Sequence, residues 1–113
     1  MSKYHAVPTE VDNIRFASRM EARRYVQLRT LERAGVIRNL ELQPRFPIAV
    51  NGHAICTYIS DFRYEVLLQG LLAGEYAVVV EDVKTPGTTT PVYRLKKKLT
   101  EALYGIEIVE VQA

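Results

Sequence analysis

The chain has 113 residues, 48% of them hydrophobic, with 15 Lys and Arg against 13 Asp and Glu and a net charge of +2. That length suits one compact domain, 1–113, with an adequate but not generous core, and the slight basic excess suits a polyanionic partner without specifying one. The lone Cys56 excludes a disulfide framework or a cysteine zinc cluster, and no apolar run reaches membrane-spanning length.

The first residues, Met1-Ser2-Lys3-Tyr4-His5, lead into polar sequence, unlike a signal peptide, so a reducing cytoplasm is the expected location. Val11 to Phe16 reads as a short hairpin around Asp12-Asn13, or as a strand beginning there. Ser18-Arg19-Met20-Glu21 fits a helix-capping box, with the helix running to about Ala34 and Gly35 closing it. Met20, Tyr25, Leu28 and Leu31 form its apolar stripe, and Arg19, Arg23, Gln27, Thr30 and Arg33 its wetted face.

Val36 to Pro47 reads as a strand interrupted by Pro44, and Asn51-Gly52 as a hairpin turn into a second strand, Ala54 to Tyr64. Glu65 to Gly74 is a connection whose Leu67, Leu68, Leu71 and Leu72 are candidates to cover apolar surface or a dimer interface. A third strand, Tyr76 to Lys84, and a loop, Thr85 to Thr89, follow. Thr90 and Pro91 then start a second helix that ends near Gly105, with Val92, Leu95, Leu99 and Leu103 as its expected buried stripe. Ile106 to Val111 alternates as a final strand, expected beside the third through a crossover. The expected class is α/β, in the order α-β-β-β-α-β, with a mixed sheet flanked by helices.

The chemistry concentrates at Asp61 and at Asp82-Val83-Lys84. In a strand, Asp82 and Lys84 share one face and Val83 takes the other. Two carboxylates at the ends of apolar strands are costly to bury unless a cation meets them, and carboxylate oxygens suit a hard dication. For Asp61 and Lys84 alone a structural ion pair is the slightly favoured reading; Asp82 shifts the balance by adding a charge that one lysine does not neutralise. Glu21 lies along the inward stripe of the first helix, where it serves the cap, the site, or both. Glu81 beside Asp82 leaves the acidic ligand open between them: parity selects Asp82, and a β-bulge would select Glu81. His5 and His53 lack ligand spacing, Cys56 reads as a small apolar packer, and no glycine-rich phosphate loop is present.

The segments Lys3-Tyr4, Thr9-Glu10-Val11-Asp12, Phe16-Ala17-Ser18, Glu21-Ala22-Arg23-Arg24-Tyr25, Leu42-Gln43-Pro44-Arg45-Phe46, Tyr58-Ile59-Ser60-Asp61-Phe62, Val80-Glu81-Asp82-Val83-Lys84 and Pro91 to Leu99 resemble, in order, a family of small phage-encoded proteins of unknown function. That family is assigned to the PD-(D/E)XK superfamily, the restriction-endonuclease-like nucleases. The resemblance implies an αβββαβ core. It also implies that Asp61 is the metal-bridging aspartate, Asp82 and Lys84 the (D/E)XK residues, and Glu21 the further ligand of Holliday-junction resolvases. Ser60 stands where the motif's proline would.

The resemblance therefore implies a metal-dependent DNA endonuclease. Its catalytic residues would be Glu21, Asp61, Asp82 and Lys84. Mg²⁺ or Mn²⁺ would be held by Glu21, Asp61, Asp82 and the Val83 carbonyl. Arg94, Lys96, Lys97 and Lys98, on the helix after Lys84, are candidate phosphate contacts, although a lysine run is commonly a solvated face. DNA, double-stranded or branched, and a second copy in a homodimer are the expected partners, with no membrane. The alternatives are a nucleic-acid-binding module that keeps the fold without catalysis, and a phage assembly or interaction protein whose charged cluster is structural.

Overall fold

The computed structural model describes residues 7–84 and 89–112. Strands β1 (Thr9–Val11) and β2 (Ile14–Phe16) form the expected hairpin. Its turn residues Asp12 and Asn13 have φ of +53° and +63°, the left-handed pair that a two-residue turn between strands requires. Helix α1 (Arg19–Arg33) begins at Ser18, whose hydroxyl accepts the Glu21 N–H at 3.1 Å. Ala22, Tyr25 and Leu28 are buried along α1, with Met20 and Leu31 packed beside them, while Arg19, Arg23, Gln27, Thr30 and Arg33 stay exposed.

The two long strands expected on either side of Asn51-Gly52 each divide. They become β3 (Ile37–Leu42) and β4 (Arg45–Val50) on one side, β5 (His53–Ile59) and β6 (Phe62–Leu67) on the other. Pro44 has no N–H for a ladder and Gln43 takes φ +51°, so the first strand bends there. The ribbon itself continues across the bend: the Gln43 N–H donates to the Asp61 carbonyl at 3.0 Å, and the Ser60 N–H to the Pro44 carbonyl at 3.2 Å. The segment is one long hairpin creased at Gln43-Pro44 opposite Ser60-Asp61. Below the crease β3 and β6 belong to a four-stranded sheet; above it β4 and β5 form a two-stranded one.

Strand β7 (Tyr76–Lys84) pairs antiparallel with β6, and after helix α2 (Pro91–Tyr104) strand β8 (Ile108–Gln112) pairs parallel with β7. The mixed sheet therefore runs β3-β6-β7-β8, and the last strand lies beside the third long strand as expected. Thr90 caps α2 by accepting the Tyr93 N–H at 3.1 Å, and Gly105 closes it with φ +64°. Leu71 and Leu72, in a short 3₁₀ turn, are exposed, while Leu67 and Leu68 are half-buried. His5 and most of the expected Thr85–Thr89 loop (85–88) lie outside the described residues.

Two apolar clusters lie on the two faces of the sheet. The first joins Phe16, Ala22, Tyr25 and Leu28 to Ile37, Phe62, Tyr64 and Val83. The second joins Phe46, Ile48 and Tyr58 of the creased hairpin to Val80 and Ile108, with Cys56, Tyr93 and Leu99 against them. Val80 to Val83 are therefore buried without interruption, the mark of a strand covered on both faces.

Helix α2 is rotated from the expected orientation. Val92, Leu95 and Leu103 are 62%, 60% and 51% exposed, while Thr100 is fully buried and Tyr93 and Leu99 pack inward. The strands beneath carry Asp82, Lys84 and Glu110, so the helix presents a flank with polar anchors. Tyr93 donates its hydroxyl to Glu110 at 2.8 Å, and Thr100 satisfies its own by donating to the Lys96 carbonyl at 2.8 Å.

Candidate metal centre at the crease

Asp61 sits where the hairpin creases, one residue before β6. The β6–β7 ladder ends at Phe62 opposite Glu81, so the next N–H on that edge of β7, from Val83, lacks a strand partner. The Asp61 carboxylate supplies one, accepting that N–H at 2.7 Å, while the Asp61 N–H donates to Asp82 Oδ1 at 2.9 Å. The Tyr58 hydroxyl from β5 donates to Asp82 Oδ2. The crease brings Asp61 and Asp82 together through the backbone of each other's strand.

Burial pushes the carboxyls of both Asp61 and Asp82 above their usual range, against the pull of these N–H groups and of the nearby Lys84 ammonium. Glu21, in the first turn of α1, joins them. Its carboxyl rises to about 7, chiefly through burial, then through the neighbouring Asp61 charge; Asp82 adds to this. Ser18 donates its hydroxyl to Glu21 Oε2 at 3.3 Å. Glu21 therefore serves the cap through its N–H and the site through its carboxyl.

Glu81 points the other way. It is 1% exposed on the α1 side, where Arg24 Nε and Nη2 donate to its two oxygens at 2.7 and 3.0 Å and the Tyr64 hydroxyl donates at 2.6 Å. Burial, then the Glu81 hydrogen bond, pushes the Tyr64 hydroxyl up to about 12. With no bulge in β7 opposite β6, parity holds and Asp82 is the acidic residue on the Lys84 face. The Lys84 ammonium rests 3.3 Å from the centre of the Tyr93 ring.

The sequence alone gives Tyr58, Arg24, Tyr93 and Glu110 no definite role. Arg24 was legible as the α1 residue three after Glu21, on the same flank. The other three depend on the crease and on the rotation of α2. Of the basic run, Arg94 and Lys98 are exposed, while Lys96 and Lys97 are half-buried, Lys97 lying 3.9 Å from Glu101.

Among the described residues no three His, Cys, Asp or Glu side chains are arranged to hold a metal ion, and no helix is long and apolar enough to cross a membrane. No curated protein and no solved structure matches the chain. A family model described as a protein of unknown function, DUF1064, matches residues 1–110, and the chain belongs to that family.

Proposed function

We propose that the chain is a metal-dependent endonuclease of phage or prophage origin that hydrolyses DNA phosphodiesters and favours branched DNA of the Holliday-junction type, acting as a homodimer. The observation that carries the reading is the interlocked pair of Asp61 and Asp82, from the crease and β7, beside the one lysine of β7, with Glu21 of α1 near enough to feel the Asp61 charge. The fold is compatible with it. With the β1–β2 and β4–β5 hairpins both set aside, the remaining order α1-β3-β6-β7-α2-β8 parallels the αβββαβ order that the resemblance to restriction-endonuclease-like nucleases implies.

The donor set fits a hard dication in kind, since every candidate ligand is an oxygen. Val83 sends its N–H toward Asp61, and in an extended strand the carbonyl of the same residue leaves on the same edge. Asp61, Asp82 and the Val83 carbonyl would hold Mg²⁺ or Mn²⁺, with Glu21 joining directly or through water. Mg²⁺ commonly binds through one or two carboxylates and keeps several waters, so a closed cage of three side chains is not required. The ion supplies an acidified water and charge neutralisation at the phosphate. Lys84 contributes a fixed positive charge that orients the water or meets the attacked phosphate. Arg94 and Lys98, exposed on α2, are the phosphate contacts of this reading, with Lys96 and Lys97 beside them.

The reading is tested by cleavage of supercoiled plasmid and of a four-way junction with Mg²⁺ or Mn²⁺, comparing wild type with Asp61→Ala and Lys84→Ala. Metal-dependent cutting that is lost in both variants supports it, and the preferred substrate decides the subclass. A second reading is favoured by the hydrogen bonds that already engage the Asp61 and Asp82 carboxylates. They suit a structural cluster in a nucleic-acid-binding or assembly protein that keeps the fold. Calorimetry that finds neither Mg²⁺ nor Mn²⁺ binding, together with no cutting, selects that reading.

A further inference from the structure

Lys84 belongs to none of the ion pairs among the described residues. Its ammonium instead lies over Tyr93 of α2, 3.3 Å from the ring centre. That is well within the roughly 6 Å at which a ring face attracts a cation. Tyr93 is fixed in turn. Its N–H is held by the Thr90 cap, its hydroxyl donates to Glu110 at 2.8 Å, and its ring stands 6.2 Å from that of Tyr58. Glu110 is the residue of β8 in register with Asp82. The tether thus runs from β8 through α2 to Lys84, beside the strand that carries Asp82.

We propose that Tyr93 is a positioning residue for Lys84, its ring holding the ammonium beside the carboxylates and its hydroxyl bond to Glu110 holding the ring. The proposal rests on the nuclease reading for its purpose and on the geometry for its placement. A flexible lysine next to two aspartates would pair with them in the absence of any other partner, neutralising the charge that a dication needs. The ring attracts the ammonium without presenting a negative group, so Lys84 is held near the site while Asp61 and Asp82 stay available. The rotation of α2 that leaves Val92 and Leu95 in water is what puts Tyr93 there.

Reductive ¹³C-methylation of the full chain reports the placement directly. The dimethyl-Lys84 signal, assigned by its loss in Lys84→Arg, is expected upfield of the other lysines through the Tyr93 ring current. Tyr93→Leu should abolish the displacement, and Tyr93→Phe, which keeps the ring, should retain it. In cleavage assays Tyr93→Leu should lower kcat about tenfold to a hundredfold with Mg²⁺ affinity unchanged, and Tyr93→Phe and Glu110→Gln should fall between it and wild type. An undisplaced Lys84 signal in wild type, or a rate insensitive to Tyr93→Leu, overturns the proposal even if the protein cuts DNA. A displaced signal with no cutting under either metal overturns the nuclease reading and leaves Tyr93 only as the anchor of Lys84.

Discussion

The backbone N–H of Asp61 donates to Asp82 while the carboxylate of Asp61 accepts the N–H of Val83, so the two aspartates are each fixed by the other's strand. The arrangement has a cost: burial raises Asp61 despite that N–H and the nearby lysine, so its charged form is less favoured in the folded chain than in the unfolded one. Asp61→Asn keeps an oxygen for Val83 and removes the charge. In metal-free buffer at pH 7 it should equal or exceed wild type in stability. Asp61→Ala strands the buried N–H and should lose about 1–3 kcal/mol. Mg²⁺ should raise the urea midpoint of wild type and leave that of the Asn variant unmoved. Urea denaturation with and without Mg²⁺ checks both; an Asn variant as unstable as the Ala variant would show the charge to be structural.

Glu21 gives the site a pH dependence whose sign is fixed. Its carboxyl rises from 4.5 to about 7 on folding, so the folded state holds the proton more tightly. The associated stability is fully present below about pH 4.5, falls as pH rises toward 7, and is absent above. Asp61 and Asp82 are raised as well and act in the same sense. Metal-free wild type should therefore lose Tm between pH 5 and about 7.5, and Glu21→Gln should flatten that slope. Thermal scans across the interval decide it; an unchanged slope in the variant would place the proton elsewhere.

Beneath the site, Arg24 and Glu81 form a bidentate pair with side chains 20% and 1% exposed. Removing one partner leaves an uncompensated buried charge, so Arg24→Met should cost about 3 kcal/mol. Arg24→Met combined with Glu81→Leu should recover much of that, because an apolar replacement of the whole pair relieves both desolvation penalties. A double-mutant cycle by chemical denaturation measures the coupling. Glu81→Gln should leave Mg²⁺ affinity near wild type, since Glu81 faces α1; a large loss would make Glu81, not Asp82, the ligand.

Local signals located most of these residues. Period-2 parity placed Asp82 with Lys84 and turned Glu81 away, and the turn pairs Asp12-Asn13 and Asn51-Gly52 marked their hairpins. Pro44 marked the interruption of its strand, but a missing donor does not say whether a strand ends, bulges or folds over. The answer lay in the opposing pair Ser60-Asp61, distant in sequence. Tyr58 could not be assigned to Asp82 for the same reason: its partner is chosen by the crease and not by its own strand.

Helix α2 shows where periodicity misleads. Val92, Leu95, Leu99 and Leu103 make a clean stripe, and burying it would ordinarily set the rotation of the helix. The sheet beneath presents Lys84 and Glu110, however, and Tyr93 and the self-satisfied Thr100 meet it better than leucines would. The two orientations predict different energetics. Were the stripe buried, Leu95→Ala and Leu103→Ala would each cost about 2–5 kcal/mol. With those side chains 60% and 51% exposed, each should cost about 0.5 kcal/mol or less. Leu99→Ala, which removes contacts with the cluster of Phe46, Ile48, Tyr58, Val80 and Ile108, should cost about 2 kcal/mol. Urea midpoints for the three variants separate the orientations, because only the observed one makes Leu99 stand apart from its two neighbours on the stripe.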